Sequence, residues 1–551
     1  MKKIKILCPF GIGKRDTSRT PLCGDSHLVC LWDIRKIKLF FKNKYAASLF
    51  LGAICSLAFA PFHFFLVGAI SLSGFYLLLE KVEAKKSVFW LGFAYGFGYF
   101  LTGVYWIAIS LLVDAEKFAW LIPFALTLIP AALALYLALF ALSYKFLIKK
   151  LRPLFTYQKI LIFALCWLFF EILRATLFTG FPWNLLGYIW MFDVNFAQAG
   201  NVFGIYGLSV LAVLTYLFPT LFFTKKTLGD KIFAAIIAVF FVGNFIYGYF
   251  SIDEKKLVHD HKTTIRLVQG NVEQEMKWNS KQKYRNFLKH IELTNSRSLE
   301  GINSVIWSET SVPYIFDSNP QLLEKLKLAI PKNGTLITGG LRIEGSEDDL
   351  KNVWNSVFAL DWNGVFATYD KHHLVPFGEY VPLQKYFPFI NKITEGAVGF
   401  SQGEGPKTIK TPNFSFSPLL CYEVIFSGQI SDKKNRPDLL INLTNDAWFG
   451  VSSGPYQHFD MARMRSIESG ISLARVANTG ITAFIDPFGR VVDRINLNQS
   501  GIIDVDLVKN LAPTIYEKYS YKPLVLLVLA MLLFLIFTPK RHNVTRQNHT
   551  N

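Results

Sequence analysis

The sequence predicts a polytopic α-helical membrane domain of about eight spans, joined to an exported α/β layered domain. Three observations carry this reading. Of the 551 residues, 52% are hydrophobic and 18% charged, where soluble domains carry about 25% charged residues. The apolar excess is confined to 46–249 and 523–538, whereas 262–510 has soluble composition. The basic excess sits in alternate connections between the apolar runs.

Taken in order, residues 1–45 are basic, lack an early apolar core and read as a cytoplasmic extension. Apolar runs near the bilayer-crossing length of about 20 residues fall near 46–60, 63–79, 88–112, 118–144, 160–178, 200–223 and 232–250. They make 46–250 a seven-helix membrane domain. The first two runs are split by Ala60-Pro61-Phe62-His63, so a re-entrant hairpin is the alternative to two crossings. The run 523–538 is short but flanked by Tyr519, Tyr521, Lys522 and Lys540, which suit the interface of a C-terminal span before the tail 539–551.

Segments 1–45, 80–87, 145–159, 224–231 and 539–551 together hold 25 Lys and Arg against 6 Asp and Glu. The opposite short loops offer little beyond Lys117 and Arg174. The positive-inside bias therefore places both termini in the cytoplasm and 251–520 on the other side. It also accounts for the net charge of +18, which excludes a nucleic-acid partner. The six cysteines show neither CxxC pairs nor framework spacing, which argues against disulfides and zinc.

Residues 251–263 are polar and read as a linker. From 264 to 510, strand-like runs (264–271, 304–309, 335–340, 353–360, 365–369, 415–422, 439–444, 481–486) alternate with helical stretches (281–297, 320–330, 424–431, 456–472). The strands are continuously rather than alternately apolar, as in sheets covered on both faces. Active sites of such sheets lie where strand ends meet loops.

Three strand ends carry reactive side chains: Glu309 in VIWSETSVP, Lys371 in TYDKHHLVPFGEYVP and Cys421 in SPLLCYEVIF. A cysteine nucleophile needs a base for its proton and a donor for the developing oxyanion. A carboxylate and an ammonium supply both without histidine. A neighbouring ammonium and a following helix start are expected to lower the thiol's pKa. Taken singly, a lone cysteine in apolar sequence is usually a core thiol, and a lone strand-end Glu or Lys a solvated one.

In this chain order the three motifs resemble the nitrilase (carbon–nitrogen hydrolase) superfamily. Helices, then this domain, then one terminal helix resemble the apolipoprotein N-acyltransferase family over residues 46–538. LAFAPFHFF (57–65), GFPWNLLGY (180–188), LVQGNVEQEMKW (267–278), LTNDAWFG (443–450) and GPYQHFDMARMRSIESG (454–470) fit the same family. The resemblance implies an αββα nitrilase-like catalytic domain over 264–510, with Glu309 as general base, Lys371 as oxyanion donor and Cys421 as nucleophile. It further implies Glu379 as a second carboxylate, supporting roles for Tyr422, Glu423 and Asn355, and a substrate-binding mouth at Trp278, Phe377 and Phe449. Asn355 follows Trp354 where tyrosine is expected.

Blander readings stand beside these. Glu379 pairs with a basic residue merely to hold its loop, Trp278 and Phe449 are core aromatics, and 456–465 is a helix that pairs locally. Adjacent His372 and His373 on a strand point to opposite faces, which argues against a metal site. The resemblance implies a ping-pong acyltransferase of the bacterial inner membrane, without cofactor or metal. Its donor would be a phospholipid and its acceptor a diacylglyceryl-modified apolipoprotein; nothing in the sequence demands more than a monomer. The rival reading is a membrane-tethered nitrilase-type amidase acting on a small amide.

Overall fold

The apolar runs become helices because a backbone in hydrocarbon must satisfy its own hydrogen bonds. The structure, a computed structural model, describes residues 43–223, 227–277, 279, 281–315, 320–346, 349–382 and 399–538. The expected extension (all but its last three residues), the tail and Trp278 lie outside them. The N-terminal helices are α1 (Lys44–Cys55), α2 (Phe65–Glu80), α3 (Lys85–Gly103), α4 (Ile122–Leu151), α5 (Thr156–Thr176), α6 (Gly200–Leu217) and α7 (Leu228–Ser251).

Four helical stretches, Ala115–Leu151, Thr156–Thr179, Gly200–Phe223 and Leu228–Ser251, are long and apolar enough to cross a membrane. The bent pair Lys85–Gly103 and Tyr105–Leu112 makes a fifth if counted as one span. Lys44–Ala58, Phe65–Glu80 and Lys522–Phe537 are apolar but shorter.

The α/β part contains β1 (His259–Gln269), β2 (Ile302–Trp307), β3 (Val312–Ile315), β4 (Thr335–Ser346), β5 (Asp349–Asp361), β6 (Gly364–Asp370) and β7 (Ile409–Lys410). It continues with β8 (Ser415–Leu420), β9 (Leu439–Thr444), β10 (Leu473–Ala477), β11 (Thr482–Ile485), β12 (Val491–Ile495) and β13 (Gly501–Val508). One sheet runs β13-β1-β2-β4-β5-β6, with β3 also paired to β4; the other runs β12-β11-β10-β9-β8-β7. β1 begins inside the stretch read as linker. The helix expected over 424–431 is instead a single 3₁₀ turn, Cys421–Ile425, followed by loop.

The inner faces meet in one apolar layer. Ile265, Leu267, Ile306, Ile337 and Val357 of the first sheet join Phe416, Leu420, Ile441, Val476 and Phe484 of the second. Helices α8 (Lys283–Thr294) and α9 (Pro320–Leu326) cover the first sheet through Phe287, Ile291, Leu322 and Leu326. The second sheet is covered by α10 (Gly454–Ser469), whose Phe459, Met461, Met464 and Ile467 belong to the same core as the membrane helices. The final helix, α11 (Lys522–Phe537), joins that core through Leu524 and Met531.

Polar bonds reinforce this junction. Trp183 Nε1 donates to Gln457 at 2.7 Å, the Ile205 amide to Glu468 at 2.9 Å, and Tyr422 Oη to the Gly180 carbonyl at 3.0 Å. The α/β layers and the helices are therefore packed as one body over residues 44–538.

Candidate active site

Each candidate residue follows a strand: Glu309 after β2 and Cys421 after β8, both largely buried, and Lys371 after β6, which is half-buried or exposed apart from Tyr369. Cys421 has φ +48° and Thr310, next to Glu309, φ +46°. Such conformations in non-glycine residues cost about 1–3 kcal/mol and persist only where packing imposes them. Gly339 on β4 lets the Glu309 turn approach: a Cβ there would lie 2.7 Å from Glu309 Cα and 2.4 Å from Thr310 N.

The structure brings Glu309, Lys371, Glu379 and Asn355 into one buried cluster. Lys371 Nζ donates to Glu379 Oε1 at 2.8 Å and lies 3.8 Å from Glu309 Oε1. Asn355 Nδ2 donates to Glu309 at 2.7 Å and to Glu379 at 3.2 Å. Glu379 also accepts from the Val375 amide at 2.9 Å, so one loop carries both the carboxylate and its anchor.

Glu423 joins two of the strand ends. Its carboxylate accepts from the Leu420 amide, beside Cys421, at 2.7 Å, and from the His372 amide, beside Lys371, at 2.7 Å. Tyr369 Oη adds a third bond at 2.9 Å. Burial opposes its charge, but His372 and these donors hold the Glu423 carboxyl below the usual range.

Burial raises Glu309, opposed by Lys371 and Lys277 and assisted by Glu379. That direction suits a base near neutral pH. Burial lowers the Lys371 pKa, but Glu379 and Glu309 together outweigh it and keep the ammonium charged. Cys421 differs from the sequence expectation. Burial, and then Glu309, push its thiol up to about 12, and Lys371 only partly offsets them. The resting group is a thiol because desolvation penalises the anion more than one shared ammonium repays.

Tyr422 is buried and bonded to Gly180. Phe449 packs on Trp106, with ring centroids 4.5 Å apart, and faces Trp183 at 5.7 Å. Phe377 is half exposed on the Val375–Glu379 loop and is not brought into that aromatic group. His372 lies 2.7 Å from Glu423, while His373 reaches Thr179 O at 2.8 Å and stacks on Phe426.

Sequence reasoning missed two features. Lys277 is buried and donates to the Glu309 carbonyl at 2.9 Å; burial brings its ammonium down to about 8 despite Glu309 and Cys421. Its signal was present, a lysine inside the LVQGNVEQEMKW motif. The second is a buried layer behind Cys421. His458 Nε2 lies 3.2 Å from the Cys421 carbonyl oxygen, its Nδ1 2.9 Å from Asp446, and Asp446 pairs with Arg475 at 2.6 Å. Burial opposes the Asp446 charge, but Arg475 and His458 hold its carboxyl down at about 2.

The arrangement offers a buried thiol, a carboxylate of raised pKa and a fixed ammonium, a set suited to acyl transfer through a covalent intermediate. Residues 51–218 match the family model of the apolipoprotein N-acyltransferase N-terminal domain, and 264–516 match that of carbon-nitrogen hydrolase. An apolipoprotein N-acyltransferase of Rickettsia typhi is 36% identical over 90% of this chain and 98% of its own. That of Rickettsia prowazekii is 37% identical over 89% and 96%. That of Rhodopseudomonas palustris is 35% identical over 90% and 95%.

Proposed function

The chain belongs to the apolipoprotein N-acyltransferase family, and from that premise we propose that it moves a fatty acyl chain from a membrane phospholipid, through a Cys421 thioester, to the α-amino group of a diacylglyceryl-modified N-terminal cysteine. It is an acyltransferase of lipoprotein biosynthesis, with a nitrilase-like domain and at least four candidate membrane helices. In the finer reading all eight helical segments cross or enter the inner membrane, both termini are cytoplasmic and the catalytic domain, 264–510, is exported. The charge bias of the connections supports that orientation.

Glu309 takes the Sγ proton of Cys421 as sulfur attacks the ester carbonyl. The tetrahedral oxyanion forms beside Lys371, whose ammonium is already desolvated and so needs no reorganisation. Collapse breaks the ester C–O bond, and the lysophospholipid leaves with the proton from Glu309. A neutral acceptor amine then attacks the thioester, Glu309 removes its proton, and the returning thiolate is reprotonated. Glu379 and Asn355 hold Lys371 and Glu309 in place, and Trp278, Phe377 and Phe449 contact the acyl chains.

The observation that carries this reading is the buried Glu309–Lys371 pair, 3.8 Å apart, in a domain that shares one apolar core with membrane helices. Both substrates are confined to a bilayer, and a site packed on membrane helices meets them there, as a monomer. A dry, aromatic-lined flank also keeps water from the thioester. A tethered amidase for a small soluble amide needs neither feature.

The test is direct. Purified protein incubated with labelled phospholipid alone should acquire one acyl group, released by neutral hydroxylamine. Adding a diacylated lipopeptide should clear it and yield the triacylated product. Cys421→Ala should remain unlabelled, while a variant lacking the other five cysteines should label normally. Label elsewhere, or label retained by Cys421→Ala, would overturn the thioester route.

A further inference from the structure

A second polar site lies where the loop between α1 and α2 meets the α/β domain. A cavity of about 340 Å³ is bounded there by His63, Tyr456, Asp460, Arg463, Arg494 and Asn496. Tyr456, Asp460 and Arg463 recur at helical spacing along one face of α10. His458, which reaches the nucleophile's carbonyl, is placed on the opposite face by the same 3.6-residue period. The cavity is therefore separate from the acyl-transfer centre.

Its polar groups are not fully used within the chain. His63 Nε2 lies 3.3 Å from Asp460, but the buried His63 Nδ1 has no hydrogen-bond partner. Arg463 is tied to Asp460 at 3.1 Å and to the Gly489 carbonyl at 3.0 Å. Arg494 is exposed and has no ion-pair partner among the described residues. Two guanidinium groups thus face one carboxylate, an excess of positive charge suited to an anion.

The apolar surroundings identify the anion's source: Ala60, Pro61, Phe459 and Leu497 line the same cavity as these donors. Phe62, Phe64 and Leu66, close to His63 in the chain, are 50%, 56% and 75% exposed. A soluble ion would gain nothing from such apolar neighbours, whereas a lipid places its chains on the apolar side chains and its phosphate among the donors. We propose that this cavity binds the phosphate group of a membrane phospholipid, held by Arg494, Arg463 and His63 between the α1–α2 loop and α10. The bound lipid bridges the membrane helices and the catalytic domain at a place that takes no part in acyl transfer.

The experiment uses the full chain in vesicles of digalactosyl diacylglycerol, which carries no phosphate, with a trace of phospholipid bearing a photoreactive headgroup. The expected cross-links map to peptides around 59–66 and 490–497. Loss of a charged hydrogen bond predicts a yield lower by about tenfold in Arg494→Glu. The milder Arg494→Gln and His63→Gln should fall in the same direction, and unlabelled phospholipid should compete. Unchanged yields in all three variants would overturn the proposal. Displacement by millimolar inorganic phosphate as effective as by phospholipid would assign the cavity to a free anion and overturn the lipid source. Thioester formation at Cys421 is read separately, so failure here leaves the acyl-transfer reading standing, and the reverse.

Discussion

The Lys371 ammonium is hydrogen-bonded to Glu379 at 2.8 Å. Its distance to Glu309 is 3.8 Å, too long for a hydrogen bond. The geometry thus distinguishes the two carboxylates: Glu379 is hydrogen-bonded to the cation and Glu309 is not. Asn355 donates to both and so bridges them.

Glu379→Gln should therefore keep a hydrogen-bond acceptor for Lys371 and retain partial Cys421 acylation with slowed turnover. Glu309→Gln should lose both half-reactions, because removing a general base costs about 10² to 10⁴ in rate. Single-turnover labelling of both variants measures this. Equal, complete loss in both would show that the roles are wrongly divided.

The thiol itself should report its surroundings. With Cys421 pushed up to about 12 by burial and Glu309, alkylation by iodoacetamide should keep rising through pH 10 without a plateau near 8.5. Glu309→Gln removes a negative charge, so it should lower the thiol's pKa and speed alkylation between pH 8 and 10 while abolishing acyl transfer. Slower alkylation in that variant would contradict the assigned electrostatics.

Behind Cys421, Asp446 and Arg475 are both fully buried and paired at 2.6 Å. Arg475→Met leaves Asp446 an uncompensated buried charge, which typically costs 3–5 kcal/mol. Denaturant unfolding should show a loss of about that size, and His458 and the Cys421 carbonyl should shift with it. A loss below about 1 kcal/mol, typical of a surface pair, would mean the pair is already solvated.

Orientation can be read with reporters. A fusion active only outside the cytoplasm should work near residue 256 and fail after residue 541. The opposite pattern would place the α/β domain in the cytoplasm and invert the topology.

Much of the fold was legible because its causes are local. Runs of apolar residues make helices wherever backbone bonds must close on themselves, and continuous apolar strands announce a sheet covered on both sides. Glu309, Lys371 and Cys421 were legible as candidates because each follows a strand within a motif that resembles the family's, although the strand before Lys371 is largely half-buried or exposed. The 3₁₀ turn that begins at Cys421 was not, since Val424, Ile425 and Phe426 form a short apolar run that the core takes up without a full helix. Strand β10 was missed because Arg475 interrupts its apolar run, and the buried Asp446 and Asn442 side chains make an arginine tolerable there.

By itself, then, the sequence determined the helical and α/β parts through composition and periodicity, and the family through motifs that resemble known members; Glu309, Lys371 and Cys421 stood out as candidates through that same resemblance. Tertiary structure alone decided which carboxylate holds Lys371, that Lys277 and His458 flank the site, and that Cys421 rests as a thiol. Those outcomes depend on distances between residues far apart in the chain and on how much water their packing removes, and neither quantity is written in any local stretch of sequence.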